Sequence, residues 1–274
     1  MDRALLINNL EITNQLKKEL FESSISSKEI LKMKSTKNSI NFDKKLYECS
    51  NWLNKNKGFK RGKITFLDLD YPRYLKQFDD CPFLIFYEGQ MNFDLQDSIC
   101  VVGTRKPTLQ ARQKAYEFGL KCGLNNKSVI SGFAKGCDQS SMFGCIDGGG
   151  KVCGVLGCGI DYPYPSNSKN LKLKLLEKGG CIISQYSPLA PPLYFHFPQR
   201  NIILSGLSSK LLVIEAPKKS GALVTSRYAF NQSTEVYVHE IGTKQNSYCK
   251  GSYTLVEEGA TVVAGYEDIF GQTK

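Results

Sequence analysis

Hydrophobic and polar positions divide the chain near residue 58. Residues 1–58 read as helical and polar, with short apolar clusters at Leu5-Leu6-Ile7 and Ile30-Leu31 and a single tryptophan, Trp52. A turn-rich stretch at 54–62 leads into apolar runs at 63–67 and 82–87 that predict two strands. From Ile99 the pattern changes to short apolar runs, at 99–102, 128–131, 151–156, 181–184, 210–215 and 235–239, separated by helix-length segments. That alternation predicts βαβ units and a mostly parallel sheet. After the first run, Ala111, Ala115, Phe118 and Cys122 recur at helical spacing with Arg112, Lys114, Glu117 and Lys121 elsewhere, which predicts one apolar helix face. The expected architecture is α/β over residues 59–274, preceded by a small helical domain at 1–58.

Composition narrows the class. Over 274 residues, 41% hydrophobic and 23% charged content is ordinary globular usage, which argues against disorder, collagen-like repetition and coiled coil. A formal charge of +10 is spread over both segments rather than gathered in a tail. It favours a polyanionic partner through counterion release, and a generally basic surface accounts for it equally well. Ten cysteines occur without a C-x-x-C pair and with only two histidines, His196 and His239, so neither a disulfide framework nor a metal site is expected. Cys100, Cys122, Cys153, Cys158 and Cys181 lie in apolar runs, where a free thiol acts as a small hydrophobe in a reducing compartment. The N-terminus lacks a signal-type apolar core, and no apolar stretch approaches the ~18 residues of a membrane span. A cytoplasmic protein without a membrane partner is the expectation.

The candidate chemistry sits where strands end. Gly103-Thr104-Arg105-Lys106, Ser131-Gly132, Gly157-Cys158-Gly159 and Lys218-Lys219-Ser220-Gly221 are glycine or small polar turns after strands, and all should meet at the carboxyl edge of a parallel sheet. Glycine there lets backbone N–H groups approach a phosphate, and Arg105 and Lys106 add full charges. Each turn also has a plain reading, because glycine is how βα connections are made. Pro107 is expected to open the helix that follows. The order matches neither the dinucleotide fingerprint nor a P-loop, so no nucleotide cofactor is expected. Tyr162 and Tyr164, in the Tyr162–Asn167 stretch, either stack on bases or pack a proline-rigidified loop. Arg200, in Phe197-Pro198-Gln199-Arg200-Asn201, either reaches phosphate or pairs with a carboxylate, the first being preferred. Lys17, in the helical segment, reads as a solvated surface cation.

The runs YPRYLKQFDDCPFLIFYEG, VVGTRKPT, ISGFAKGCDQSS, GGGKVCGVLGCGIDYPYPSNSKNL, GGCIISQYSP, FPQRNIILSGLS, VIEAPKKSGALVTSRYA and LVEEGA resemble, in order and spacing, the blocks of the DprA/Smf family of DNA-processing proteins. The resemblance implies an extended Rossmann-like fold preceded by a small SAM- or HhH-like helical domain. It implies single-stranded DNA binding and protection without catalysis, loading of the recombinase RecA in natural transformation, and a homodimer. By position, Gly103, Thr104, Arg105 and Lys106 match the phosphate-contacting loop, and Ser131, Gly132, Gly157 and Gly159 the rest of that pocket. Tyr162 matches an aromatic used against a base, Arg200 and Asn201 the start of an R-N-R block, and Ser220 with Gly221 an S-G turn.

The chain departs from the family pattern at several places. Ile202 replaces the second arginine of R-N-R, Cys137 replaces an isoleucine, Ser140-Ser141 replaces Ala-His, and Glu240-Ile241-Gly242 replaces a Pro-Gly turn. With the sequence ending at Lys274, the family's C-terminal winged-helix-like domain is expected to be missing. Two competing functions stay open: a lysine-decarboxylase-like nucleotide phosphoribohydrolase, and a non-catalytic carrier or sensor of a phosphorylated ligand. Against the enzyme, the place of its catalytic glutamate is held by Lys218–Ser226, which has no carboxylate; Asp138 and Asp161 are the remaining acid-base candidates, and both read as turn-forming aspartates.

Overall fold

The computed structural model describes residues 2–33, 39–55, 58–91, 97–162, 164–166 and 168–271. Asn56 and Lys57 of the expected linker, and Pro163 and Asn167 of the tyrosine stretch, lie outside them. In chain order the elements are α1 (Arg3–Asn8), α2 (Asn14–Glu22), α3 (Ser27–Lys32), α4 (Ser39–Asn54), β1 (Arg61–Thr65), α5 (Arg73–Lys76), β2 (Leu84–Gly89), β3 (Ser98–Val102), α6 (Leu109–Leu124), β4 (Ser128–Ser131) and α7 (Cys137–Asp147). Then come β5 (Val152–Val155), α8 (Lys169–Glu177), β6 (Cys181–Ser184), α9 (His196–Gly206), β7 (Lys210–Val213), α10 (Gly221–Asn231), β8 (Glu235–His239), α11 (Lys250–Glu257), β9 (Thr261–Val263) and α12 (Glu267–Phe270).

Among the described residues the strands form one sheet, in the order β1-β2-β6-β5-β4-β3-β7-β8-β9. From β6 to β9 all pairings are parallel, and β2 joins β6, and β1 joins β2, antiparallel. Strand periodicity of two splits the buried side chains between two cores. Ile99, Val101, Val129, Val152 and Ile182 face one core with Ala111, Ala115, Phe118, Met142 and Leu171. Cys100, Val102, Ile130, Val155 and Ile183 face the other with Ile203, Leu204, Leu207, Ala222 and Leu255. The first core therefore holds α6, α7 and α8, and the second α9, α10 and α11. This is the expected Rossmann-like α/β sheet covered on both faces.

The face of α6 follows the sequence pattern, with Ala111, Ala115, Phe118 and Cys122 buried. Its start does not follow the proline. Thr108 is the N-cap, accepting a bond from Ala111 N, so Pro107 stands outside the helix. All ten cysteines are free and buried, nine of them within the two cores, while Cys249 Sγ donates to Ile241 O. No described helix is long and apolar enough to cross a membrane. The last strand, β9, was not anticipated, because only Val263 of its three residues is buried and no alternation is visible.

The N-terminal helices pack on the antiparallel end of the sheet. Leu5, Leu6, Ile7, Ile30, Phe42 and Trp52 share the first core with Phe83, Leu84 and Phe86. Trp52 meets Phe86 edge-on at 5.9 Å, and the Arg61 guanidinium lies 4.7 Å from the centre of the Trp52 ring. Arg61 also pairs with Glu88 and Asp161 at 2.9 Å each, while Lys172 reaches Glu88 at 2.7 Å, which ties β1, β2, α8 and the turn at Asp161 together. α3 begins with a capping box, Ser26 and Glu29 bonding each other's backbone N–H.

Packing of α6 on α7 leaves no room for side chains at the crossing. A Cβ on Gly119 would lie 2.0 Å from the Ser141 carbonyl oxygen, and one on Gly144 2.0 Å from that of Tyr116. Gly119→Ala therefore lowers unfolding free energy by roughly 1–3 kcal/mol, the usual cost of overpacking, despite alanine's better helix propensity. A urea melt with an unchanged or raised midpoint would contradict this packing.

Candidate functional site

The order of the strands locates the site. From β3 the chain winds outward through β4, β5 and β6, then α9 carries it back to β7 on the other side of β3. The reversal between β3 and β7 is a topological switch point, where the loops leave in opposite directions and open a crevice. A cavity of about 700 Å³ lies there. Its walls include Gly103, Thr104, Arg105 and Lys106 after β3, Lys219, Ser220 and Gly221 after β7, and Arg200 and Asn201 of α9.

Glu215 holds the two sides of the crevice at a fixed distance. Its backbone oxygen accepts from Thr104 N at 2.8 Å, and its buried carboxylate accepts from Thr108 N at 2.8 Å and Thr108 Oγ1 at 2.9 Å. The carboxylate thus occupies the start of α6, the place where a dinucleotide fold would receive a phosphate. Gly103 is required by packing rather than by a ligand, since a Cβ there would lie 2.6 Å from Cys137 Sγ.

The helix start left to a ligand is that of α10. Ser220 caps it, accepting from Ala222 N at 3.2 Å, and a Cβ on Gly221 would meet nothing within 4 Å. Asn201 Nδ2 donates to Gly221 O at 3.4 Å, so α9 braces this turn. Arg105, Lys106 and Lys219 are exposed at the rim. Arg105 lies 5.3 Å from the centre of the Phe197 ring, and Phe197 in turn sits 5.6 Å from Tyr164. A cation, a ring face and an open helix start are thus gathered at one edge. Such an arrangement can hold a phosphate while offering a flat surface to an attached base.

Other predicted residues fall outside the crevice lining. Ser131 Oγ donates to Val101 O at 2.6 Å, inside the sheet. A Cβ on Gly157 would strike the Phe197 ring at 2.8 Å, and one on Gly159 the Pro188 oxygen at 2.2 Å. Those glycines admit the protein's own 187–197 segment. Tyr162 sits in the turn beyond Gly159, and Tyr164 is the tyrosine that joins the crevice aromatics.

Arg200 needs a correction. Although it borders the crevice, it is 5% exposed, and its Nη1 donates to Gly132 O at 2.8 Å and to Val155 O. A Cβ on Gly132 would lie 2.8 Å from Nη1 and 2.7 Å from Asp138 Oδ2. The guanidinium therefore satisfies strand-end carbonyls and faces Asp138, the carboxylate alternative of the sequence reading, instead of projecting into solvent. Lys17 is a second correction. It is half-buried, donates to Asn8 O at 2.9 Å, and burial together with Lys45 lowers its pKa to about 8.

Sequence reasoning assigns no role to Tyr248, Glu215 or, within the Lys218–Gly221 turn, to Lys219 itself, and reads Asp138 as a turn-forming aspartate. Lys219 adjoins the Ser220-Gly221 turn, and Tyr248 is the one aromatic of a polar stretch, so both carried a local signal. Asp138 and Glu215 act through partners far along the chain, which no local pattern reveals.

A mostly parallel sheet with an open, cation-edged crevice at its switch point defines a Rossmann-type α/β protein. The sequence model of the family described as DNA recombination-mediator protein A matches residues 62–274. The chain is similar to the DNA processing protein DprA of Streptococcus pneumoniae, at 34% identity over 210 residues covering 76% of this chain and 73% of the other. The X-ray structure of DNA processing protein A from Streptococcus pneumoniae superposes with a TM-score of 0.77 at 27% identity, over 100% of this chain and 99% of that one. DNA processing protein A from Helicobacter pylori, whose structure was described for its single-stranded DNA binding mode, shares the fold with a TM-score of 0.66 at 22% identity, over 78% and 95% of the two chains. The chain belongs to the DNA recombination-mediator protein A family, the DprA/Smf DNA processing proteins.

Asp138 gives the site a pH signature. Burial raises its carboxyl to about 6, against the opposing pull of the Arg200 guanidinium and the N–H groups of Ala134, Gly103 and Gly132. A carboxyl whose folded pKa lies above its unfolded value contributes stability below about pH 4 and loses it as pH rises through 6. The stability difference between parent and Asp138→Asn should therefore shift in favour of the variant from pH 4 to 7, by an amount on the order of 2–3 kcal/mol. A difference independent of pH in urea melts across that window would refute the assignment.

Proposed function

We propose that this chain binds single-stranded DNA by its phosphates at the switch-point crevice, without base-sequence preference and without catalysis. The observation that carries the reading is the gathering of exposed Arg105, Lys106 and Lys219 with the α10 start and the Phe197 ring at one sheet edge. Cations and backbone donors read phosphate, and a ring face is tolerant of any base. The single-stranded DNA binding mode described for the Helicobacter pylori relative supports it. So does the net charge of +10.

The carboxylates of the crevice support a binding role over phosphoribosyl hydrolysis. Glu215 is engaged by Thr108, and Asp138 by buried Arg200 and backbone N–H groups, so neither presents an unencumbered base to a ligand. Membership of the family extends the proposal to protection of incoming strands and RecA loading during transformation, in the cytoplasm, by a homodimer. The division into a helical domain at 1–58 and a DNA-binding domain at 59–274 is part of the same proposal; in it Ser131, Gly132, Gly157 and Gly159 serve the pocket through the packing that shapes its walls, and Tyr162 meets a base at its edge.

Arg105→Ala should weaken oligo-dT binding about ten- to a hundredfold, the equivalent of roughly 1.5–3 kcal/mol for a bond to a charged group. Lys178→Ala is the matched control, because Lys178 is exposed beside the amino end of β6, across the sheet from the crevice. Equal small losses in the two variants would mean that diffuse charge binds the DNA. Affinity should also fall steeply between about 50 and 200 mM salt, and a flat profile would rule out phosphate contacts. Light scattering should give a dimer, and a monomer at all concentrations would remove that part of the proposal.

A further inference from the structure

A second cavity, of about 770 Å³, opens on the same edge of the sheet. Its floor is the carboxyl end of β6, at Gln185, and the beginning of antiparallel β2, at Leu84, and its outer wall is built by α1, α2 and α4. The first turn of α9 separates it from the switch-point crevice. Phe197, Pro198 and Arg200 face the crevice, while His196, Gln199 and Ile202 face the second cleft. The two cavities are thus neighbours across one helical turn.

The second cleft is built for polar contact. Lys17, Lys44 and Lys45 line it, with a rim of side-chain amides that includes Asn14, Asn41 and Gln199. His196 is buried and stacks on Tyr186 at 3.8 Å. Burial, and next the neighbouring Lys45, disfavour the charge on Lys17, and an anion beside it would offset that. Three carboxylates, Glu11, Glu48 and Asp80, also line the cleft, so its lysines act as local contacts rather than as a uniform positive field.

We propose that a DNA strand held in the switch-point crevice continues over the first turn of α9 into this second cleft, where Lys17, Lys44 and Lys45 take its phosphates. The proposal rests on the reading that the crevice holds single-stranded DNA. It gives the N-terminal helices a share in binding that their sequence does not suggest. Side-chain amides suit such a tract, because they bond to phosphate, sugar and base edges alike. The consequence is a length dependence, since only a strand long enough to leave the crevice reaches the second group of cations.

The test compares oligo-dT of about 6 and about 20 nucleotides, one near the short end and one beyond the long end of the ~4–16 nucleotide sites typical of single-strand grooves. Each phosphate contact to a single strand contributes a slope of about 0.7 in log affinity against log salt, or about fivefold near 0.1 M salt. The double variant Lys44→Gln/Lys45→Gln should lose about 25-fold on the long strand, with a salt slope shallower by about 1.4, and bind the short strand as the parent does. Glu48→Gln should tighten long-strand binding, an effect of opposite sign that loss of fold cannot imitate. Arg105→Ala should weaken both lengths. If the lysine and Glu48 variants bind the long strand like the parent while Arg105→Ala is impaired, the second cleft is not on the DNA path. If Arg105→Ala binds both lengths normally, the crevice reading itself fails.

Discussion

The hold that Glu215 keeps on the loop after β3 is the constraint on which the site depends. One residue at the end of β7 binds Thr104 through its backbone and Thr108 through its carboxylate. That contact spans the switch point and fixes the separation of its two walls. It also fills the start of α6 with the protein's own negative charge, which makes the site hostile to a phosphate placed as in a dinucleotide enzyme. The open helix start is consequently that of α10, with Arg105, Lys106 and Lys219 on the rim of the same crevice.

Arg200 and Asp138 perform a related task beneath the floor. Strand ends at a sheet edge leave carbonyls that water or a side chain must satisfy. Arg200 satisfies those of Gly132 and Val155, and Gly132 has no side chain that would displace it. A fully buried guanidinium needs a counter-charge, and Asp138 provides it from the first turn of α7. Arg200, which looks like a ligand contact in sequence, is thereby engaged within the fold, whereas Arg105, Lys106 and Lys219 stay exposed at the crevice.

The same economy of space explains the glycines. Gly157 and Gly159 follow a strand, which suggests a phosphate loop. Their missing side chains instead admit Phe197 and the Pro188 carbonyl, and so seat the 187–197 segment that starts α9. That segment ends in the turn dividing the crevice from the second cleft, so the close approach of backbone to ring shapes both cavities.

The sequence by itself determined the class of fold, because strand and helix are written in local periodicity. The apolar runs from Ile99 onward and the Ala111–Cys122 face appear in the structure as β3 to β8 and α6. It also determined which turns stand at the carboxyl edge, since parallel strands end on one side. Tertiary structure alone decided which of those turns meet, because the return of α9 to β7 depends on packing over the whole sheet. It decided that Arg200 points inward and Arg105 outward, since a charge is buried only where distant partners, here Asp138 and two carbonyls, compensate it. It set Lys17 in a cleft, because the helices of the N-terminal segment close against a loop about 170 residues further on, beyond the reach of any local pattern.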